Sequence, residues 1–379
     1  MKIVVAMDSF KGSMDSLEAG YAVKRGIERV CKEDTKILVK PVADGGEGTM
    51  QAVTAGLGGE IVSAEVTGPL GTKVQASYGI VKERGLAVME MAEAAGITLM
   101  EPSMLDPVSA TTYGVGEMIL DAVRRGCRDF IFGIGGSATT DGGAGMLSAL
   151  GYEFLDENKK PIPLGAGALD RIREIRMDRV PKVLKQCRFR TACDVENPLL
   201  GPRGAVCVFG PQKGVKESEI ELFDQKMAHY ADQTAAFTGK DMRMQPGAGA
   251  AGGLGFALLS YLNAVLEPGI SLVLRILGLE EEIRTADLVI TGEGRMDAQT
   301  AMGKVPVGVA KLAKKYGCSV VALAGGVTRD AGKCNEAGID AFFPIVRGVS
   351  TLEEAMKKEQ AMANMEDTAE QVFRLLLLR

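Results

Sequence analysis

Thirteen consecutive residues, Gly133-Ile-Gly-Gly-Ser-Ala-Thr-Thr-Asp-Gly-Gly-Ala-Gly145, hold six glycines and four hydroxyl or carboxylate side chains. The apolar run Asp129-Phe-Ile-Phe132 leads in, and Met146-Leu-Ser-Ala-Leu150 leads out with the composition of a helix. Glycine lets backbone N–H groups approach a ligand closely, and a helix N-terminus favours negative charge. A strand–loop–helix unit of this kind suits a phosphate ligand, with an ordinary turn as the alternative. A second cluster, Gly247-Ala-Gly-Ala-Ala-Gly-Gly-Leu-Gly255, points to the same chemistry. A third segment, Thr291-Gly-Glu-Gly-Arg-Met-Asp297, combines glycine with carboxylates.

The rest of the chain alternates apolar runs of strand and helix length, which indicates α/β layers. Strands are expected at residues 2–7, 36–42, 60–66, 73–90, 188–193, 205–209, 287–291 and 319–324, with a turn at 66–71. Helices are expected from Asp15 or Ser16 onward, around 115–123, over 220–231, around 309–316 and over 353–378. Polar loops follow apparent strands at 8–13, 43–49, 135–142, 194–201, 210–214 and 291–297. In open α/β sheets ligands gather at the carboxyl ends of strands. With 379 residues there is room for two domains, and no Pro/Ser-rich linker separates them. We expect one domain inserted in the other, 1–65 plus 276–379 forming the discontinuous domain and 66–275 the insert.

Composition removes several function classes. The net charge of −5 comes without any long Lys/Arg block, which argues against a nucleic-acid partner. No stretch reaches about 18 uninterrupted apolar residues, so no membrane association is expected and the cytoplasm is the expected location. Seven cysteines form no C-x-x-C pair, and reduced thiols are expected. His229 is the only histidine, which excludes a multi-histidine zinc site. It falls off the apolar stripe of its helix, so a solvated position is expected, and acid–base work passes to carboxylates or lysine.

No P-loop pattern is present. Gly247-Ala-Gly-Ala-Ala-Gly252 matches G-x-G-x-x-G but follows Met-Gln-Pro rather than a strand, so the dinucleotide context fails. Phosphoryl transfer needs donors around phosphate, Mg²⁺, and a group that orients the nucleophile. Lys11, Lys213 and Lys304 each border a glycine and are candidates for phosphate. Asp44, Asp141, Asp194, Glu293 and Asp297 sit in candidate loops, either as metal or proton-handling groups or as helix caps and turn bonds. Arg295 could fork onto a carboxylate substrate or form a surface ion pair. A nicotinamide-dependent oxidoreductase of hydroxy acids and a non-catalytic sensor of a phosphorylated metabolite are the alternatives.

The motifs Asp8-Ser-Phe-Lys-Gly-Ser13, Ala43-Asp-Gly-Gly-Glu-Gly-Thr49, Val66-Thr-Gly-Pro-Leu-Gly71, Tyr113-Gly-Val-Gly-Glu117, Gly135-Gly-Ser-Ala-Thr139, Cys193-Asp-Val-Glu-Asn-Pro-Leu199, Phe209-Gly-Pro-Gln-Lys-Gly214, Pro246-Gly-Ala-Gly-Ala-Ala-Gly-Gly-Leu-Gly255 and Thr291-Gly-Glu-Gly-Arg295 resemble, in this order and nearly end to end, the type-1 (bacterial) glycerate kinases. One departure is visible: the family usually reads Ala-Thr-Asn-Asp after Gly-Gly-Ser, whereas Thr140 precedes Asp141 here. The resemblance implies ATP- and Mg²⁺-dependent phosphorylation of D-glycerate by two α/β domains with largely parallel sheets and an active site in the cleft between them. It implies the 2-hydroxyl as acceptor, with the 3-hydroxyl as alternative, in glyoxylate or aldarate metabolism, by a monomer or homodimer.

On that basis Asp194, Lys11 and Asp8 are assigned as catalytic. Ser9, Gly12, Gly135, Gly136, Ser137, Thr139, Lys213, Arg295 and Lys304 are assigned to substrate or phosphate, and Glu293, Asp297 and Asp141 to metal.

Overall fold

A computed structural model describes residues 1–31 and 34–378. Among the described residues thirteen strands run in chain order: β1 (Lys2–Met7), β2 (Lys36–Val39), β3 (Glu60–Thr67), β4 (Lys73–Val81), β5 (Leu86–Glu90), β6 (Asp129–Gly133), β7 (Glu153–Leu155), β8 (Glu174–Arg176), β9 (Arg188–Ala192), β10 (Val265–Glu267), β11 (Leu288–Met296), β12 (Ser319–Val327) and β13 (Ala341–Pro344). The chain forms two compact units. One comprises residues 1–44, 51–58 and 270–379, the other 45–50 and 59–269. The division adds a short early crossing at 45–50 that the sequence did not suggest.

In the first unit five strands make a wholly parallel sheet in the order β13-β12-β11-β1-β2. Ile3, Val5 and Met7 are fully buried and pack with Val23, Ile27, Ile290 and Phe373. A parallel strand covered on both faces needs such a continuous apolar run. Helix Ser16–Glu28 begins at a capping box, the Asp15 carboxylate accepting the Glu18 N–H at 2.8 Å while Glu18 reaches back to the Asp15 N–H. It lies against helix Lys358–Leu376 so closely that a Cβ on Gly26 would stand 2.2 Å from the Glu366 carbonyl oxygen. The expected closing helix is in fact two, Leu352–Met356 and Lys358–Leu376, separated by the extended ψ of Lys357.

In the second unit the order is β10-β9-β6-β5-β4-β3. Pairing is parallel from β10 to β5 and antiparallel through β4 and β3. The expected single strand at 73–90 breaks into β4 and β5 at the turn Lys82–Arg84, closed by Gly85 at φ 55°. The expected strand at 205–209 is instead helix Ala205–Phe209, because five apolar residues in a row carry no period that separates strand from buried helix. The polar segment 210–214 therefore follows a helix and not a strand.

Gly26→Ala is expected to destabilise the protein by about 1–3 kcal/mol through the forced separation of the two helices, read as a lower midpoint in thermal or urea unfolding.

Candidate active site

Strands β1 and β11 are neighbours at the point where the order of the first sheet reverses, and they run in parallel with Met7 opposite Gly292. The next residue on each chain is a carboxylate, Asp8 and Glu293, and the Asp8 N–H donates to the Gly292 carbonyl at 2.9 Å. A switch point of this kind opens a crevice at the strands' carboxyl ends. Here it is a cavity of about 810 Å³ lined by Asp8, Ser9, Lys11, Asp44, Glu293, Arg295 and Lys304 among others.

Three carboxylates crowd this cavity. Burial, then the neighbouring Asp44 carboxylate, pushes Asp8 up to about 7, with Glu293 adding to the effect and Lys11 opposing it. Glu293 is raised too, chiefly by burial, against the Thr300 hydroxyl bond and the Lys304 charge. Thr300 Oγ1 donates to Glu293 Oε1 at 2.5 Å, and Asp297 Oδ1 accepts the Gln299 N–H at 2.9 Å. Arg295 is exposed, with its guanidinium 3.8 Å from Asp297. Segment 291–297 is not a loop: β11 continues to Met296, paired with β12, so Glu293 projects from a strand. The loop after β1 is tight, Phe10 and Met14 pairing through a 2.8 Å N–H···O bond. Ser9 N–H donates to Asp8 Oδ1 at 2.7 Å. Gly12 takes φ 74°, and a Cβ there would meet Met356. Cys334, which sequence reasoning passed over, is buried with its thiol 3.7 Å from the Asp297 carbonyl.

In the second unit the carboxyl ends of β5, β6 and β9 carry Glu90, the Gly135–Gly145 loop and Asp194. Gly135 and Gly136 are exposed, whereas Ser137 to Gly145 are buried. Asp141 is completely buried and accepts from the Thr112 N–H and hydroxyl at 2.8 and 2.9 Å, from the Gly143 N–H at 3.0 Å and from the Gly145 N–H at 3.2 Å. Its oxygens are occupied in bracing the loop. Lys213 lies behind the same loop. It is 1% exposed, and its Nζ donates to Ser137 Oγ at 2.6 Å and the Thr139 carbonyl at 2.7 Å. Burial lowers it to about 7, with Asp141 opposing. The Thr139 side chain is fully buried and lines no open space.

The second glycine cluster serves packing. A Cβ on Gly252 would stand 1.9 Å from the Thr139 oxygen, and Gly142 N–H donates to the Gly252 carbonyl at 3.0 Å. Ala251, Gly252 and Gly253 all take left-handed backbone there, which breaks the helix and lets the two glycine segments touch.

Asp194 is exposed, with Oδ1 accepting the Gly269 N–H at 2.9 Å, an anchor that orients the carboxylate. Glu90 was missed by sequence reasoning. It ends a wholly buried strand, and a carboxylate at the carboxyl end of such a run is the signal that could have found it. Its Oε1 accepts the Met50 N–H at 2.8 Å, and burial, then the Glu93 and Glu47 carboxylates, push it up to about 7. His229 is partly exposed, with Nε2 2.7 Å from the Ile172 carbonyl and 3.1 Å from Arg173 Nη1. All seven cysteines are free. Among the described residues no three His, Cys, Asp or Glu side chains form a metal cage, and no helix is long and apolar enough to cross a membrane.

Carboxylates and cations at a parallel-sheet switch point, with a glycine loop at a second set of strand ends, define an α/β protein built to handle phosphate. The model of the glycerate kinase family matches residues 3–377. The glycerate kinase of Bacillus subtilis (strain 168) is 46% identical over 373 residues, 98% of this chain and 97% of that protein. The glycerate 2-kinase of Escherichia coli (strain K12) is 46% identical over 357 residues, 94% and 93% of the two chains. A crystal structure from Salmonella typhimurium LT2, provisionally assigned as glycerate kinase 2, superposes with TM-score 0.92 at 43% identity, covering 100% of this chain and 98% of that one. This chain belongs to the glycerate kinase family.

Two predictions follow from the buried carboxylates. Asp141→Ala strands several buried donors and should cost about 3 kcal/mol or more, measured by urea unfolding. Glu90 holds its proton in the folded state up to about 7 but releases it near 4.5 when unfolded, so it makes the folded state lose stability as pH rises through that window. Glu90→Gln lacks this loss, and its thermal midpoint relative to the parent should climb from pH 4.5 to 7 and level off above. A flat difference would contradict the assignment.

Proposed function

We propose that this protein transfers the γ-phosphoryl group of ATP to the 2-hydroxyl of D-glycerate, forming 2-phosphoglycerate with the help of Mg²⁺. Transfer to the 3-hydroxyl is the alternative. Family membership makes it a phosphotransferase with an alcohol acceptor, and the relative named glycerate 2-kinase supports the 2-hydroxyl. The observation that carries the chemistry is the crowding of Asp8, Asp44 and Glu293 around one cavity with Lys11, Lys304 and Arg295 at its edge.

The raised Asp8 and Glu293 carboxyls mark a place short of positive charge, which suits a divalent cation with oxygen ligands. One or two of the Asp8, Asp44 and Glu293 carboxylates, with phosphate oxygens and water completing the shell, would hold Mg²⁺, which when bound supplies charge to the phosphoryl oxygens. Lys11 and Lys304 neutralise phosphate charge at the same cavity. Gly135 and Gly136 offer backbone N–H groups to a carboxylate or phosphoryl oxygen. Asp194, held through its Gly269 bond, orients the acceptor hydroxyl and takes its proton as the new O–P bond forms.

The deciding assay supplies ATP, Mg²⁺ and D-glycerate and couples product to enolase without a mutase. A signal is expected directly. A signal that needs added mutase places the phosphate on the 3-hydroxyl, and no ADP release removes the kinase reading. Asp194→Asn should lower kcat by roughly 10²-fold or more with the fold intact. Activity within about threefold of the parent would end that role. Glu293→Gln should raise the Mg²⁺ concentration needed for half-maximal rate by about tenfold.

A further inference from the structure

Lys213 reaches the glycine loop from the turn Pro211–Lys213, whose chain reverses at Gly214 with φ 98°. In its ammonium form, which Asp141 favours and burial opposes, it has protons to give and no lone pair to receive one. Its two short bonds therefore use Ser137 Oγ and the Thr139 carbonyl as acceptors. The consequence lies at Ser137. With its oxygen already accepting from a buried cation, the serine hydroxyl must spend its own proton elsewhere. Successive hydrogen bonds polarise one another in a low-dielectric interior, so that proton is a stronger donor than a free serine's. The Thr139 carbonyl belongs to the same peptide as the Thr140 N–H, which is polarised in the same sense.

Ser137 also stands at a boundary. It is 7% exposed, and the two residues before it, Gly135 and Gly136, are exposed. The buried strut thus ends one hydroxyl away from open backbone. Asp141 is the carboxylate that favours the charged lysine, and burial acts against it. A buried ammonium is costly to desolvate even when it is hydrogen-bonded. Its retention asks for a purpose other than stability.

We infer that Lys213 is a positioning residue that fixes the direction of the Ser137 hydroxyl, giving the Gly135–Ser137 edge an aimed O–H donor that favours an anionic oxygen, carboxylate or phosphoryl. This rests on the reading of the loop as the binder of a substrate anion. Lys213 does not touch the ligand; it acts through Ser137.

The test is a double-mutant cycle on the full-length protein, with Ser137→Ala, Lys213→Met and the pair compared for KM of D-glycerate, KM of ATP, kcat and thermal midpoint. Each single variant should raise the KM of one substrate, the same one in both, by about tenfold or more, the scale of a charge-assisted hydrogen bond. The pair should be no worse than about twofold beyond the weaker single variant, while Lys213→Met, which strands the buried Thr139 carbonyl, lowers the midpoint as well as raising that KM. Losses that multiply, or fall on different substrates, overturn the inference. A lower midpoint with both KM values unchanged marks a purely structural strut and overturns it too.

If Lys213→Met does not fold, Ser137→Ala decides, by calorimetric titration with D-glycerate and with ATP. A tenfold rise in one Kd stands with the inference, and both within twofold overturn it. A parent protein that shows no glycerate-dependent ADP release would instead remove the underlying reading of the loop, whatever the cycle shows.

Discussion

The parallel pairing of β1 with β11 is the constraint on which the first unit depends. It joins residues nearly three hundred positions apart, and register alone places Asp8 beside Glu293 at the open end of the sheet. The apolar faces of both strands supply the burial that holds the pairing, since Ile3, Val5, Val289 and Ile290 are all within 1% of complete burial. A slip by one residue would turn those side chains to the wrong face. The carboxylate cluster is thereby held in place by hydrophobic contacts that never touch it.

The second unit solves a different problem. A glycine loop has no side chains with which to hold its own shape, so the shape is imposed from behind. Asp141 gathers donors from Thr112, Gly143 and Gly145, and Lys213 ties down Ser137 and Thr139. The second glycine segment packs directly on the first because Gly252 and Gly253 can adopt left-handed backbone in a space that excludes any Cβ. Two glycine clusters that look equivalent in sequence thus do separate work, one offering an exposed backbone edge and the other permitting the close approach that supports it.

In the first unit Asp8 and Glu293, and in the second Glu90 and Lys213, have their charged forms disfavoured by burial. Each costs the empty fold something. Such groups cluster where a site is preorganised for a ligand that brings the missing charge.

The order of motifs along the chain, the α/β class and the glycine loop after β6 were legible in sequence because each depends on local composition and period. The Asp15 cap was legible for the same reason, since a capping box is complete within four residues. The strand expected at 205–209 was not, because a short apolar run fits either state. Side-chain orientation was not legible either. Lys213 and Asp141 look like ligand residues in a glycine-rich segment, and only packing turned them inward to brace the loop. Glu90 was hidden for the opposite reason, as one carboxylate in an apolar run that becomes notable only when β5 is seen to end beside the Met50 N–H. The sequence by itself determined the family, the elements and the inventory of charged groups. Tertiary structure decided which of those groups share a cavity and which are spent on the scaffold, because register and burial are set by contacts between residues far apart in the chain.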